Sequence, residues 1–160
     1  MGKAYLIGAG PGDPDLLTVK ALRLLQSADV VLHDGLVSRG VLGLISPAAQ
    51  VVNIGKRCGQ KLLTQEEINS VLVHYAGIFQ TVVRLKGGDP LLFGRAGEEI
   101  QALRAARINF EIVPGITSAF AAAGAAGISL TDRRIASQVL FTTAHQGLGK
   151  STLDWVSRAE

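Results

Sequence analysis

Short apolar runs alternate with longer amphipathic segments along this chain, and clusters of glycine fall between them. The short runs predict strands over residues 3–7, 29–32, 51–54, 80–85 and 110–113. Between them the apolar positions recur at helical spacing. Leu17, Ala21, Leu24, Leu25 and Ala28 form one face of a helix over 16–28, with Lys20 and Arg23 on the other side. Residues 38–45 read as a short helix stopped by Pro47. Thr64-Gln65-Glu66-Glu67 has the form of a capping box that opens a helix running to Ala76. A further helix is predicted over 96–106. Glu98 and Glu99 lie in its first turn, where the helix dipole favours negative charge.

After Pro114-Gly115 the pattern changes. Residues 116–126 are helical but thinned by Gly124, residues 127–134 form a polar loop, and residues 138–143 alternate as a strand does. Asp154-Trp155-Val156 opens one more helix at the end of the sequence. Strands and helices that alternate with short connections predict an α/β fold with a mostly parallel, doubly wound sheet. The expected organisation is an N-terminal α/β domain over 1–113, then the beginning of a second α/β domain over 114–160, apparently truncated.

Composition narrows the classes. Of the 160 residues 48% are hydrophobic and 18% charged, so a packed core is expected and wholesale disorder is excluded. One Trp, two Tyr and five Phe give little support to reading nucleic acid by base stacking. The net charge of +3 suits an anionic small molecule as well as RNA and does not choose between them. Cys58 is the single cysteine, so no disulfide can form within the chain. No apolar run is long enough to cross a membrane; residues 118–130 come nearest. The N-terminus lacks a signal-peptide pattern, and a cytoplasmic protein is expected.

Four predicted strands end in loops with unusual residues: 8–13, His33-Asp34, Gly55-Lys56-Arg57 and Gly87-Gly88-Asp89. In a parallel sheet those loops emerge together at one edge, and such convergence marks a binding site. Gly8-x-Gly10-x-Gly12 lacks the G-x-G-x-x-G spacing of a dinucleotide fingerprint, and Pro11 removes a backbone donor. No Gly-Lys-Ser/Thr follows it, so it is not a phosphate-binding P-loop either. Gly87-Gly88 lets bare backbone approach a ligand closely, and Asp89-Pro90 ends the strand with a carboxylate directed out of the loop. Asp34 could act as a general base or bind a cationic group. Lys56 could neutralise an anion or donate a proton. His33, His74 and Cys58 show no metal-ligand spacing and His145 stands apart, so no metal site is expected.

Several long segments also resemble one family. The segment Tyr5-Leu6-Ile7-Gly8-Ala9-Gly10-Pro11-Gly12-Asp13-Pro14 resembles the N-terminal signature of the tetrapyrrole methylases. Residues 84–99, Val113-Pro114-Gly115-Ile116-Thr117-Ser118-Ala119 and Gly127-Ile128-Ser129-Leu130-Thr131 match further signatures in the same order. Gly35 stands where the family often has arginine, and Asp132 where it usually has histidine. The resemblance implies a two-domain homodimer that holds S-adenosyl-L-methionine between its domains. It assigns Pro11, Gly87, Gly88, Asp89, Leu92, Thr117 and Ser118 to the cofactor, and Asp34 and Lys56 to proton acceptance and donation. The implied reaction methylates carbons 2 and 7 of uroporphyrinogen III, an anionic tetrapyrrole, to give precorrin-2 for sirohaem or cobalamin. Lys56, Arg57, Arg84, Arg95, Arg133 and Arg134 could then meet substrate carboxylates. The alternatives are a related methylase with another precorrin, RNA or protein as acceptor, or a truncated fragment without catalytic activity.

Overall fold

The structure is a computed structural model that describes residues 2–55 and 63–143. Five parallel strands form one sheet: β1 (Lys3–Gly8), β2 (Val30–His33), β3 (Gln50–Asn53), β4 (Thr81–Lys86) and β5 (Asn109–Val113). Their spatial order is β3-β2-β4-β1-β5. The helices are α1 (Val19–Ser27), α2 (Arg39–Leu42), α3 (Gln65–Ile78), α4 (Ala96–Ala105) and α5 (Ser118–Ala126).

Alternation along each strand divides the core in two. Ile7, Val31, Val83, Leu85 and Val113 pack on Ala21 and Leu25 of α1 and Val41 of α2. Ala4, Leu6, Val30, Leu32 and Val82 pack on Leu72 and Ala76 of α3 and Ala96 and Leu103 of α4. Helices therefore cover both faces. Each leucine buried in this way contributes about 2 kcal/mol of transfer free energy.

The strand order explains which helix covers which face. From β1 the chain steps outward through β2 to β3; it then reverses, inserts β4 between β2 and β1, and goes on to β5. Right-handed crossovers put the helices of the outward leg on one face and those of the return leg on the other. The connection leaving β1 thus runs to the α1 side, and the one leaving its neighbour β4 runs to the α4 side. Between two such strands a crevice opens at their carboxyl ends.

Local chemistry moves several boundaries. The helix expected from residue 16 begins at Val19, because Pro14–Leu16 forms a 3-10 turn capped by Asp13. Thr18 then caps α1, accepting from the Ala21 amide at 3.1 Å. The helix expected over 38–45 keeps only Arg39–Leu42, with Ser38 as its cap and Gly43 closing it. The capping box at Thr64 is present: Glu67 Oε2 accepts from the Thr64 amide at 2.6 Å, and Thr64 Oγ1 from the Glu67 amide at 3.2 Å.

Residues 138–143 join no strand ladder among the described residues, contrary to their alternating pattern. Alternation specifies a half-buried surface, and most of this segment is exposed. No residue of α5 is buried. The helix expected at Asp154 lies outside the described residues. No described helix is long and apolar enough to cross a membrane.

Candidate functional site

The two glycine loops meet at the crevice between β1 and β4. The Gly10 amide donates to the Gly88 carbonyl at 3.2 Å, and the Gly88 amide donates back to Gly10 at 2.8 Å. Both residues hold positive φ, 70° and 66°, a conformation that glycine adopts without steric cost. The Ala9 amide donates to the Lys86 carbonyl at 2.7 Å, so the pairing continues the β1–β4 ladder past its end. The β1 loop does not run into a helix N-terminus, since α1 starts only at Val19. This agrees with the missing dinucleotide spacing.

The strand that follows α4 closes the other side. A Cβ on Gly115 would lie 2.3 Å from the Gly88 carbonyl oxygen and 2.7 Å from Gly8 Cα. Three backbones are in contact there with no room for a side chain. Asp89 ties them together. Its Oδ1 accepts from the Leu91 amide at 2.8 Å and its Oδ2 from the Gly115 amide at 3.0 Å. The carboxylate expected to point out of the loop is turned back onto the backbone instead, because two unpaired amides lie within its reach.

Around these contacts is a cleft of about 550 Å³, within the usual range for small-molecule sites. Pro11, Gly87, Gly88, Asp89, Leu92, Thr117 and Ser118 all line it, and so does Asp34. Lys56 lies outside the described residues. The walls also include Gly10 of the first glycine loop, and Leu36, Gln65 and Phe93, which carried no chemical signal in the sequence. A Cβ on Gly87 would come within 3.0 Å of Leu36 Cβ, so the glycine keeps the wall thin there. Thr117 caps α5 without a side-chain bond back to the helix. Thr117 itself lines the cleft.

Asp34 follows the last residue of β2. Its Oδ1 accepts from the Leu36 amide at 3.0 Å, and Oδ2 lies 3.7 Å from Arg84 Nη2. The ring of buried His33 donates from Nδ1 to the Asp34 carbonyl at 2.8 Å. Arg84 and Lys86 of β4 also line the cleft, and both donate to one oxygen of Glu99 on α4, at 3.0 and 2.9 Å. Burial, with Arg84 nearby, lowers the Lys86 pKa below that of a free lysine, and Glu99 works against that shift.

The other candidate cations fare differently. Arg84 is not a surface charge: it is 3% exposed, lines the cleft and is engaged by Glu99. Arg95 lines the cleft but pairs with Glu98 through Nε and Nη2, both at 2.8 Å. Arg134 pairs with Asp132, whose pKa that hydrogen bond lowers. The acid standing in the family's histidine position is thus neutralised locally. Arg133 is exposed, and Arg57 lies outside the described residues. Among the described residues no group of three or more His, Cys, Asp or Glu is arranged to hold a metal ion.

The family model described as "Tetrapyrrole (Corrin/Porphyrin) Methylases" matches residues 3–160. The chain belongs to the tetrapyrrole methylase family. It is 50% identical to an "S-adenosyl-L-methionine-dependent uroporphyrinogen III methyltransferase" of Methanosarcina barkeri, over 99% of this chain and 63% of that one. It is 52% identical to the "Siroheme synthase" of Azotobacter vinelandii, over 97% of this chain and 33% of that one. Among solved structures it superposes on uroporphyrin III C-methyltransferase of Thermus thermophilus, described as complexed with S-adenosyl homocysteine. The TM-score there is 0.74 at 48% identity, covering 86% of this chain and 57% of that one. This tetrapyrrole methylase chain therefore spans between a third and two thirds of the length of those relatives.

Proposed function

We propose that the protein catalyses S-adenosyl-L-methionine-dependent methylation of uroporphyrinogen III at carbons 2 and 7, yielding precorrin-2. One observation carries the reading: all seven residues that the family likeness assigns to the cofactor border a single cleft, and the candidate base Asp34 borders it too. The names of the M. barkeri and T. thermophilus relatives support the same assignment.

The cleft suits the cofactor in shape and donor set. Its glycine walls leave backbone amides and carbonyls bare, its volume admits a nucleoside with an amino-acid arm, and the Thr117 hydroxyl is unspent on helix capping. When bound, the cofactor supplies a methyl group on a sulfonium, open to in-line attack by an electron-rich pyrrole carbon. The protein's main work is then to position the two reactants and exclude water. Pro11 and Gly87 to Asp89 form the cradle, and Leu92, Thr117 and Ser118 complete its rim. Asp34 stabilises the positive charge that develops on the ring system and accepts the proton that the methylated ring system then loses from a ring N–H or a bridging CH2, since the alkylated carbon itself is fully substituted. Lys56 is the matching proton donor.

The reading includes a homodimer in the cytoplasm, with residues 1–113 as the first domain and 114–160 as the start of the second. The exposed apolar side chains of Phe120, Ile128 and Leu140 support a further protein surface packing there. The deciding experiment is anaerobic methyl transfer from labelled S-adenosylmethionine to uroporphyrinogen III, read by product mass. Two added methyl groups are expected. S-adenosylhomocysteine binding without any transfer to this acceptor overturns the substrate assignment.

A further inference from the structure

The charge cluster formed by Arg84 and Lys86 of the cleft lining with Glu99 behind them has a feature that the methyl-transfer chemistry does not use. Arg84 and Lys86 stand two residues apart on β4, so both project to the α4 side. Their side chains are 4% and 5% exposed, and that of Glu99 is 1% exposed. Two cations share a single carboxylate oxygen. The other oxygen, Glu99 Oε2, is buried and has no hydrogen-bond partner among the described residues. A buried carboxylate left half-satisfied is costly unless its geometry is fixed for another reason.

The donors of Arg84 suggest that reason. Nε is held by Glu99, and Nη1 donates to the Leu85 carbonyl at 3.0 Å. Only Nη2 faces Asp34, and 3.7 Å is longer than a direct hydrogen bond. The guanidinium is thus clamped on one edge and presented to Asp34 on the other without closing on it. A free arginine would close into a bidentate pair and occupy both carboxylate oxygens.

We propose that Glu99 is a positioning residue for methyl transfer: it holds Arg84 by Nε and so keeps Asp34 oriented with an oxygen open to the cleft. The proposal deepens the reading above and rests on it. Lys86 completes the arrangement as the second cation on the same oxygen.

A merely structural counter-ion would predict the same loss of stability, so the test must separate the two roles. The full chain is compared as wild type, Glu99→Gln, Lys86→Met and the double variant. The readouts are steady-state methyl transfer, calorimetric affinity for S-adenosylhomocysteine, denaturant unfolding and the side-chain Nε–H resonance of Arg84. Glu99→Gln should lower kcat by about tenfold or more while KM and S-adenosylhomocysteine affinity stay within about twofold. It should also lower stability, since two buried cations lose their counter-ion. The double variant should be more stable than Glu99→Gln, because one unpaired cation is gone, yet relative to Lys86→Met it should show the same factor of loss in kcat, and the Arg84 Nε–H signal should shift in both backgrounds.

If Glu99→Gln costs kcat nothing in the Lys86→Met background, the residue only balances charge and the proposal fails. Equal losses in kcat and cofactor affinity overturn it as well, by showing a change in cleft shape. Where Lys86→Met itself abolishes transfer, an unshifted Arg84 Nε–H signal in Glu99→Gln overturns it. A wild type that binds S-adenosylhomocysteine but transfers no methyl group overturns the functional reading, and the positioning role with it.

Discussion

Replacing Gly115 by alanine should harm the fold and the cleft together. The added carbon would sit 2.3 Å from the Gly88 carbonyl oxygen, 2.7 Å from Gly8 Cα and 2.8 Å from the Gly8 carbonyl carbon. All three neighbours are backbone, so no rotamer change can make room. To restore ordinary contact the loop after β5 must move by about 1 Å from the two strand ends beside it. Overpacking of this kind costs about 1–3 kcal/mol. The shift also pulls the Gly115 amide away from Asp89, the residue that ties the two loops together. Urea unfolding should therefore show a lower midpoint with an unchanged slope. S-adenosylhomocysteine affinity, measured by calorimetry at a temperature where the variant is folded, should fall by about tenfold or more, because positioning at this scale is sensitive to about 1 Å. Gly97→Ala is the control. Nothing lies within 4 Å of its added carbon, and in α4 alanine should stabilise by up to about 1 kcal/mol. A Gly115→Ala protein with wild-type midpoint and affinity would refute the claim that three backbones meet there without slack.

Other substitutions test separate parts of the structure. Asp34→Asn should slow methyl transfer by about 10²–10⁴-fold and leave S-adenosylhomocysteine affinity near wild type; equal losses in both, seen by kinetics and calorimetry, would remove Asp34 from a chemical role. Thr64→Ala removes the side-chain half of a two-way cap and should lower unfolding free energy by about 1 kcal/mol, read from denaturant curves. Glu111 is held below its ordinary value of 4.5 by Lys20 and then Lys3. The stabilisation this gives is present above the ordinary carboxylate value and fades as pH falls through the depressed one. The stability gap between wild type and Glu111→Gln should therefore narrow on acidification, and added salt should narrow it at neutral pH, since the pair is exposed.

Much of the fold was legible because its period and its punctuation agree. β1, β4 and β5 are short apolar runs, and α1 and α3 have apolar faces at helical spacing with caps at Thr18 and Thr64. Turn chemistry decided the misjudged boundaries: Pro14 starts a 3-10 turn that delays α1, and Gly43 shortens α2. Residues 138–143 show the limit of a two-residue period. Alternation states which positions could face a sheet, but a ladder needs a neighbouring strand, and no described segment offers one.

The site divided along the same line. Its backbone part was readable, because glycine at Gly10, Gly87 and Gly88 and the carboxylates at Asp34 and Asp89 mark strand ends in an ordered series. Its electrostatic part was not. Arg84 and Lys86 look like ordinary polar interruptions of a buried strand, and Glu99 looks like a residue favoured by the helix dipole in the first turn of α4. The connection between them depends on strand order. Because β4 is inserted centrally, beside β1, its α4-facing side is buried along its whole length, and two cations placed there must find an anion from the helix above. Among the described residues Lys86 pairs with Glu99, and Asp34 at the end of β2 stands opposite Arg84's free edge. A sequence pair two residues apart thus becomes a bridge from the α4 helix to the candidate base. It does so only because the chain reverses direction after β3. The same reversal that opens the cleft between β1 and β4 also supplies the buried charges that line it.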